Sequence, residues 1–325
     1  MKVQVIGAGS WGLALARLLA LKGHEVLLSC REEDGPEVLR SKRESPCFLP
    51  GVRIPESIRV AKEHDPGAAI AVFAAPSHAM RAVAAKFPFN PDTIRVSVAK
   101  GIETETLMRM TEVIAAEQGA CPVTALSGPS HAEEVATDHP ASVVVAGESE
   151  DACKTVQDAF VTSRFRVYTS PDAVGVELGG ALKNVIAIAA GVCDGFEFGD
   201  SAKAALVTRG LTEMARLGEA MGAHPLTFSG LSGMGDLIVT CMSRYSRNRT
   251  VGERIAQGET AESITSGSLM VAEGIRTAPG AYAMAQKHGV DMPITEQVYR
   301  VLFEGVSPRE AVEELMEREA KAERR

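Results

Sequence analysis

A lysine in a helix otherwise built of small and aliphatic residues is the first feature of this chain that invites chemistry. Lys183 lies in GGALKNVIAIAAGV with Asn184 beside it, and an ammonium there is strongly desolvated unless it faces a cleft. Burial and a neighbouring cation both lower a lysine pKa, which makes the amine a usable proton donor or acceptor near neutrality. The competing reading is a stem laid along the helix with its head in water. Lys100, in SVAKGIE, follows a strand pattern, at the carboxyl end where open α/β sheets bind ligands. A lysine there can stabilise negative charge growing on a substrate oxygen, although many strand ends carry a surface lysine.

A third constellation is Gly233-Met234-Gly235-Asp236-Leu237-Ile238-Val239-Thr240, followed by Ser246-Arg247-Asn248-Arg249. Asp236 can orient a lysine, and Thr240, one helical turn later, can hydrogen-bond a substrate oxygen. Ser246, Arg247 and Asn248 precede the helix pattern RTVGERIAQG. A hydroxyl, a guanidinium and an amide at a helix N-terminus suit a monophosphate; the alternative is a solvated basic turn with an ordinary cap. In Leu126-Ser127-Gly128-Pro129-Ser130, the glycine suits a backbone that approaches a ligand at another strand end.

The cofactor signal is Gly7-Ala8-Gly9-Ser10-Trp11-Gly12, a GxGxxG turn. Alone it is weak, but here it follows a strand pattern and opens a helix pattern. Gly7 permits the tight turn, Gly9 lets backbone approach a pyrophosphate, and Gly12 lets helix and strand pack closely. The helix N-terminus then offers unpaired N–H groups to the phosphates. Trp11 suits packing beside the cofactor rather than chemistry. At the end of the second strand, Leu28-Ser29-Cys30-Arg31-Glu32 puts Arg31 where a 2′-phosphate reader belongs. This favours NADPH, with NADH the alternative: Glu32 weakens the signal, and a solvated loop arginine is the competing reading.

The elements that must position these residues can be read in order. Val3 to Ile6 is a buried strand pattern, Trp11 to Lys22 a helix closed by Gly23, and Glu25 to Ser29 a second strand, together a βαβ unit. Further strands are expected at Ala69 to Ala75, Thr93 to Ala99, Val123 to Leu126, Ala141 to Ala146 and Arg166 to Thr169, with a helix over Thr104 to Glu117. Beyond Pro171 the patterns are helical: Asp172 to Cys193, then 202–221, 247–257, 278–288 and 308–323, with no convincing strand. The tail EREAKAERR reads as a fraying helix end. The expected fold class is α/β, an N-terminal Rossmann doubly wound sheet over 1–171 followed by an all-α substrate-binding and catalytic domain over 172–325.

Bulk properties agree with two ordinary domains. The chain has 325 residues, 45% hydrophobic and 23% charged, with a net charge of -8, which argues against a nucleic-acid partner. Scattered cysteines at 30, 47, 121, 153, 193 and 241 form no CxxC pair and read as reduced thiols. The histidines form no HxxxH pair, so no metal is assigned. With neither a signal-peptide pattern nor an apolar run of about 18 residues, the chain is expected to be cytoplasmic, without stable membrane insertion.

Taken together, GAGSWG, FAAPSHAMR, AKGIE, LSGPSHAEEVA, VELGGALKNVIAIAAGV, GMGDLIVTC, SRNRTVGERI and VAEGIRTA resemble the bacterial-type NAD(P)-dependent glycerol-3-phosphate dehydrogenases. They run in order over nearly the whole chain, and the ELGGALKNVIAIAAG and SRNR segments are far more specific than GxGxxG. The resemblance implies reversible hydride transfer between C2 of sn-glycerol 3-phosphate and the nicotinamide, giving dihydroxyacetone phosphate, and so a supply of glycerol 3-phosphate for phospholipid synthesis. It implies that Lys183 is the general acid/base and Lys100 the second active-site lysine, with Asp236 at the substrate site. Ser246, Arg247 and Asn248 match the substrate-binding run, Arg247 also lying near the cofactor. Ser10, Trp11, Arg31, Ala132, Val271 and Glu273 match cofactor contacts, while Gly128 and Ser130 match substrate or cofactor contacts. A homodimer is also what the resemblance implies. One departure is His131, where the family usually has Phe, which leaves local packing and pH sensitivity open.

Two rivals remain at this stage. Another hydroxyacid dehydrogenase, of the phosphogluconate or ketopantoate type, would share the glycine turn and helical second domain but not SRNR. A non-catalytic dinucleotide sensor would keep the Rossmann half and lose the paired lysines.

Overall fold

The computed structural model describes residues 1–266, 272–320 and 322–323. Its strands are β1 (Lys2–Ile6), β2 (Glu25–Ser29), β3 (Arg59–Ala61), β4 (Ile70–Phe73), β5 (Ile94–Ser97), β6 (Val123–Ser127), β7 (Ala141–Gly147) and β8 (Phe165–Ser170). The helices of the sheet half are α1 (Ser10–Leu21), α2 (Pro36–Lys42), α3 (Met80–Lys86), α4 (Met110–Gln118), α5 (Ala132–Ala136) and α6 (Glu150–Phe160). Those that follow are α7 (Ala173–Gly195), α8 (Asp200–Ala220), α9 (Asp236–Met242), α10 (Arg247–Ala256), α11 (Ala261–Ser266), α12 (Glu273–His288), α13 (Pro293–Phe303) and α14 (Pro308–Met316).

All eight strands form one sheet in the order β3-β2-β1-β4-β5-β6-β7-β8. Every pair is parallel except β6 with β7. The strand alternation explains how both faces are covered. Val3 and Val5 of β1 join the core beneath α1, while Ile6 joins a second core with Phe73, Met80 and Val113 on the opposite face. The chain leaves β1 toward β2 and later returns to β4 on its other side. That reversal is the crevice where doubly wound sheets bind ligands at strand carboxyl ends.

The third core is built around α7, whose residues are buried almost throughout. By length and a mean hydropathy of 1.5, α7 is apolar enough to cross a bilayer, contrary to the sequence expectation that no such segment exists. Its apolar window is 89% buried inside the fold, the position of a core helix. Glycine lets α10 lie directly on it: a Cβ on Gly191 would come within 1.9 Å of the Arg249 carbonyl oxygen, and one on Gly252 within 2.0 Å of that of Ile188. Such backbone contact brings the Ser246–Asn248 run beside the Lys183 helix.

Several boundaries differ from the sequence reading. The helix expected from Thr104 starts at Met110. Its first part is instead a turn in which Leu107 takes a φ of 61° and the Glu103 carboxylate is held by Arg81 at 2.6 and 2.8 Å. α12 starts at Glu273 and carries Pro279 inside it, whereas proline preference alone places a helix start near the proline. α14 ends at Met316, so among the described residues the charged tail is not helical. The edge strand β3 and the helices α2, α3, α5, α6, α9, α11 and α13 are elements the sequence reading does not name, although α6 and α13 are strongly amphipathic.

Candidate active site

Four segments from both halves of the chain converge on one carboxylate. Lys100 follows β5, Gly128 follows β6, Lys183 is in the middle of α7, and Asp236 is the first residue of α9. A π-helical turn at Leu231–Gly235 feeds directly into α9 and carries Asp236 into the interior, where it is 1% exposed. One Asp236 oxygen accepts from Lys183 Nζ at 2.6 Å and the other from Lys100 Nζ at 2.7 Å. Lys183 also donates to Thr240 Oγ1 at 2.7 Å, and that hydroxyl donates to the Asp236 carbonyl at 2.6 Å. Lys100 donates further to the Gly128 carbonyl at 2.9 Å. The snorkelling alternative for Lys183 does not occur: its side chain is buried.

The electrostatics follow from that geometry. Burial, with help from the Lys100 charge, lowers the Lys183 amine to about 8 against the pull of Asp236. Burial works to raise the Asp236 carboxyl, but the two ammonium groups outweigh it and hold the carboxyl below its ordinary range. The result is an ionised carboxylate and an amine whose proton is exchangeable near physiological pH, with a second cation alongside.

A chain of amides links this centre to α10 and α12. Asn184 donates to the Lys100 carbonyl at 2.9 Å, Asn248 donates to Asn184 Oδ1 at 2.8 Å, and Gly274 N donates to Asn248 Oδ1 at 2.9 Å. Ser246 caps α10 by accepting from Arg249 N at 3.2 Å, so the capping alternative is true of its oxygen while its proton stays available. Arg247 is exposed on the first turn of α10 and makes no ion pair among the described residues. Arg249, by contrast, is committed to Asp194 and Glu253.

Gly128 has a reason to be glycine beyond its sequence reading. Its φ is +139°, and a Cβ would lie 2.9 Å from Val143 Cα. The neighbouring strand itself demands glycine there. Ser130 Oγ donates to the Gly128 carbonyl at 2.9 Å, and Ala132 opens α5. His131 is half-buried, its ring 5.9 Å from that of Tyr245. Burial and then the Lys183 charge push its imidazole below the usual value, and its buried Nε2 has no partner among the described residues.

The fit to a dinucleotide is visible at the other end of the crevice. Gly7 has a φ of +111°, and a Cβ on Gly12 would lie 2.0 Å from the Gly7 carbonyl oxygen, so both are needed for the turn itself. Gly9 is different: a Cβ there would meet nothing within 4 Å. It faces open space at the N-terminus of α1, which has no side-chain cap and no acid in its first turn. The first N–H groups of α1, at Ser10, Trp11 and Gly12, thus lack the partners that helix starts require, and a pyrophosphate satisfies them. Arg31 stands beyond β2 as expected, but Asp34 holds it at 3.0 Å and Glu33 lies 3.8 Å away. Glu273 is bound to Ser77, and Val271 lies outside the described residues.

Sequence reasoning missed one buried carboxylate that matters. Glu177, two turns before Lys183 on α7, accepts from Thr111 N at 2.8 Å and Thr111 Oγ1 at 2.6 Å, and pairs with Arg109. It ties α7 to the start of α4, and so the helical half to the sheet. The signal was present in VELGGALK: a lone acid in a buried apolar helix needs a partner as much as a lone lysine does.

Comparison with known proteins bears directly on this arrangement. A family profile described as the NAD-dependent glycerol-3-phosphate dehydrogenase N-terminus matches residues 2–153, and its C-terminal counterpart matches residues 172–313. A glycerol-3-phosphate dehydrogenase of Pelotomaculum thermopropionicum, named as using NAD(P)+, is 51% identical over 98% of this chain and 93% of its own length. One from Salinibacter ruber is 50% identical over 99% and 96%. The crystal structure of the glycerol-3-phosphate dehydrogenase of Coxiella burnetii superposes with a TM-score of 0.93 at 36% identity, covering 98% of this chain and 99% of that one.

Proposed function

The chain belongs to the NAD-dependent glycerol-3-phosphate dehydrogenase family, and on that premise we propose how its own residues carry out the family's reaction. It is an NAD(P)-dependent oxidoreductase that interconverts sn-glycerol 3-phosphate and dihydroxyacetone phosphate. Family membership removes the other hydroxyacid dehydrogenases and the non-catalytic sensor as readings of this chain.

The observation that carries the assignment of roles is the single buried carboxylate shared by two lysines. The bound nicotinamide supplies hydride to, or takes it from, C2 of the substrate. Lys183 Nζ gives its proton to the C2 oxygen in the reductive direction and takes it back in the oxidative one, a task suited to an amine at about 8. Lys100 stabilises the charge that develops on that oxygen. Asp236 fixes both amines and keeps Lys183 protonatable, and Thr240 sets the direction of the Lys183 donors. Asn184 ties Lys100 to α7, and Asn248 ties α10 to both. Arg247, with Ser246 and Asn248 at the start of α10, anchors the phosphate so that C2 is presented in line, a positioning effect.

The cofactor lies along Gly7, Gly9, Ser10, Trp11 and Gly12, with Ala132, Val271 and Glu273 as further cofactor contacts that the family resemblance implies. We favour NADPH over NADH because of Arg31. The same reading includes a homodimer, a cytoplasmic location and a role in supplying glycerol 3-phosphate to phospholipid synthesis. The test is oxidation of NADPH and NADH by the purified protein with and without dihydroxyacetone phosphate, against a panel containing ketopantoate and unphosphorylated dihydroxyacetone. Oxidation confined to the phosphorylated ketose is expected. Equal turnover of unphosphorylated dihydroxyacetone would remove the phosphate anchor, and faster NADH oxidation would remove the Arg31 argument.

A further inference from the structure

A helix that offers a side chain to a phosphate must be fixed in rotation as well as in position. Successive residues of α10 stand about 100° apart around its axis, so a modest roll of the helix moves Arg247 away from a bound anion. Asn184, Ile188, Gly191 and Gly195 recur along one stripe of α7, and much of that stripe is bare backbone. A Cβ on Gly195 would lie 2.6 Å from Ala256 Cβ and 3.0 Å from the Glu253 carbonyl oxygen, and Gly191 and Gly252 touch the facing backbones in the same way. Such contacts give close approach but few interlocking side chains, so polar ties must index the roll.

Two ties meet that need. One is the Asn248 to Asn184 bond beside the lysines. The other is made by Arg249, whose Nε donates to Asp194 Oδ2 in the last turn of α7 and whose guanidinium also lies 2.9 Å from Glu253. Asp194 is itself held from a third helix: Lys203 of α8 donates to its two oxygens at 2.8 and 2.7 Å. Two cations and two carboxylates thus balance in a largely buried cluster. The backbone N–H of Arg249 is also the donor that the Ser246 hydroxyl accepts, at 3.2 Å. Arg249 stands two residues after Arg247, about 200° around the helix. Drawing the one onto α7 therefore turns the other outward, and Arg247 is indeed exposed while the Arg249 side chain is mostly buried.

Resting on the phosphate reading of Arg247, we propose that Asp194 is a positioning residue for the substrate phosphate: through Arg249 it sets the roll of α10, so that Ser246, Arg247 and Asn248 meet the phosphate together. Lys203 keeps the Asp194 carboxylate turned toward Arg249. Asp194 acts only through α10 and touches neither substrate nor cofactor. A purely electrostatic role has the opposite sign. Neutralising Asp194 leaves the region more positive, which by itself attracts a phosphate dianion and lowers its KM; loss of position raises it.

The test is steady-state kinetics of dihydroxyacetone phosphate reduction by the full-length protein, comparing the wild type with Asp194→Asn, Asp194→Glu, Lys203→Met, Arg247→Ala and the Asp194→Asn/Arg247→Ala double variant. Asp194→Asn is expected to raise KM for dihydroxyacetone phosphate about tenfold, with kcat within about threefold and KM for NADPH within about twofold. Asp194→Glu should recover part of that loss. Lys203→Met, which leaves Arg249 and Asp194 able to pair, should give a smaller rise in the same sense and keeps the test open if Asp194→Asn folds poorly. In the Arg247→Ala background, Asp194→Asn should add little, because the anchor it positions is already gone. An unchanged or lowered KM, a parallel rise in KM for NADPH, or losses that simply add in the double variant overturn the proposal. If Arg247→Ala raises KM while Asp194→Asn and Lys203→Met do not, the phosphate reading stands and Asp194 loses its role. If Arg247→Ala leaves KM unchanged, the phosphate reading itself fails and takes this proposal with it.

Discussion

At the scale of single residues, the site is a problem in keeping charges compatible with burial. Two ammonium groups and one carboxylate sit where water is largely excluded, and an unpaired charge there would cost several kcal/mol. Asp236 solves this by giving one oxygen to each lysine, while burial still lowers the Lys183 amine. The pH dependence follows with a definite sign. Reduction of dihydroxyacetone phosphate needs protonated Lys183, so its kcat should fall as pH rises through about 8. Oxidation of glycerol 3-phosphate needs the free amine and should rise across the same window. Asp236→Asn removes the carboxylate that favours the ammonium, so both limbs should move to lower pH; steady-state profiles in the two directions check this. Arg247→Ala should act differently. It should raise KM for the phosphorylated substrate by about 10–100-fold with kcat far less affected, and an unchanged KM would remove the phosphate role.

At the scale of elements, close packing does as much as side-chain chemistry. α10 reaches the catalytic helix because Gly191 and Gly252 let two backbones touch, and α1 offers its N–H groups because Gly9 has no side chain in the way. Gly9→Ala should therefore leave thermal stability nearly unchanged, since its Cβ meets no protein atom, while NADPH affinity falls more than about tenfold through lost approach to the pyrophosphate. A large drop in Tm would show that Gly9 serves the fold instead. The strong elements were legible for physical reasons: β1, α1 and α7 have long, consistent periodicity or a diagnostic turn, and Lys183 was conspicuous because an ammonium in an apolar helix has few explanations. What the sequence hid depended on partners distant in the chain. The start of α4 is set by Glu103 being drawn to Arg81, Gly128 is required by Val143, and the grip of Glu273 on Ser77 spans most of the chain. No local pattern announces such pairs.

At the scale of the whole molecule, neither half is sufficient. The sheet provides the crevice, Lys100 and the glycine turn; the helices provide Lys183, Asp236 and the Ser246–Asn248 run. Glu177 with Thr111 and Arg109, and Asp236 with Lys100, are among the polar bonds that hold the halves in register. The proposed dimer predicts a sedimenting species of about twice 34.4 kDa, whereas a monomer at working concentration would contradict it. The central claim is that proton transfer belongs to Lys183, and it is tested most directly by Lys183→Met. Methionine keeps an unbranched side chain of similar length, so the buried position stays filled. Rates of dihydroxyacetone phosphate reduction should be measured with NADPH binding followed in the same preparation. The account predicts a loss of at least about 100-fold in turnover with the NADPH dissociation constant within about twofold of the wild type. Turnover close to wild type, with cofactor binding intact, would contradict it.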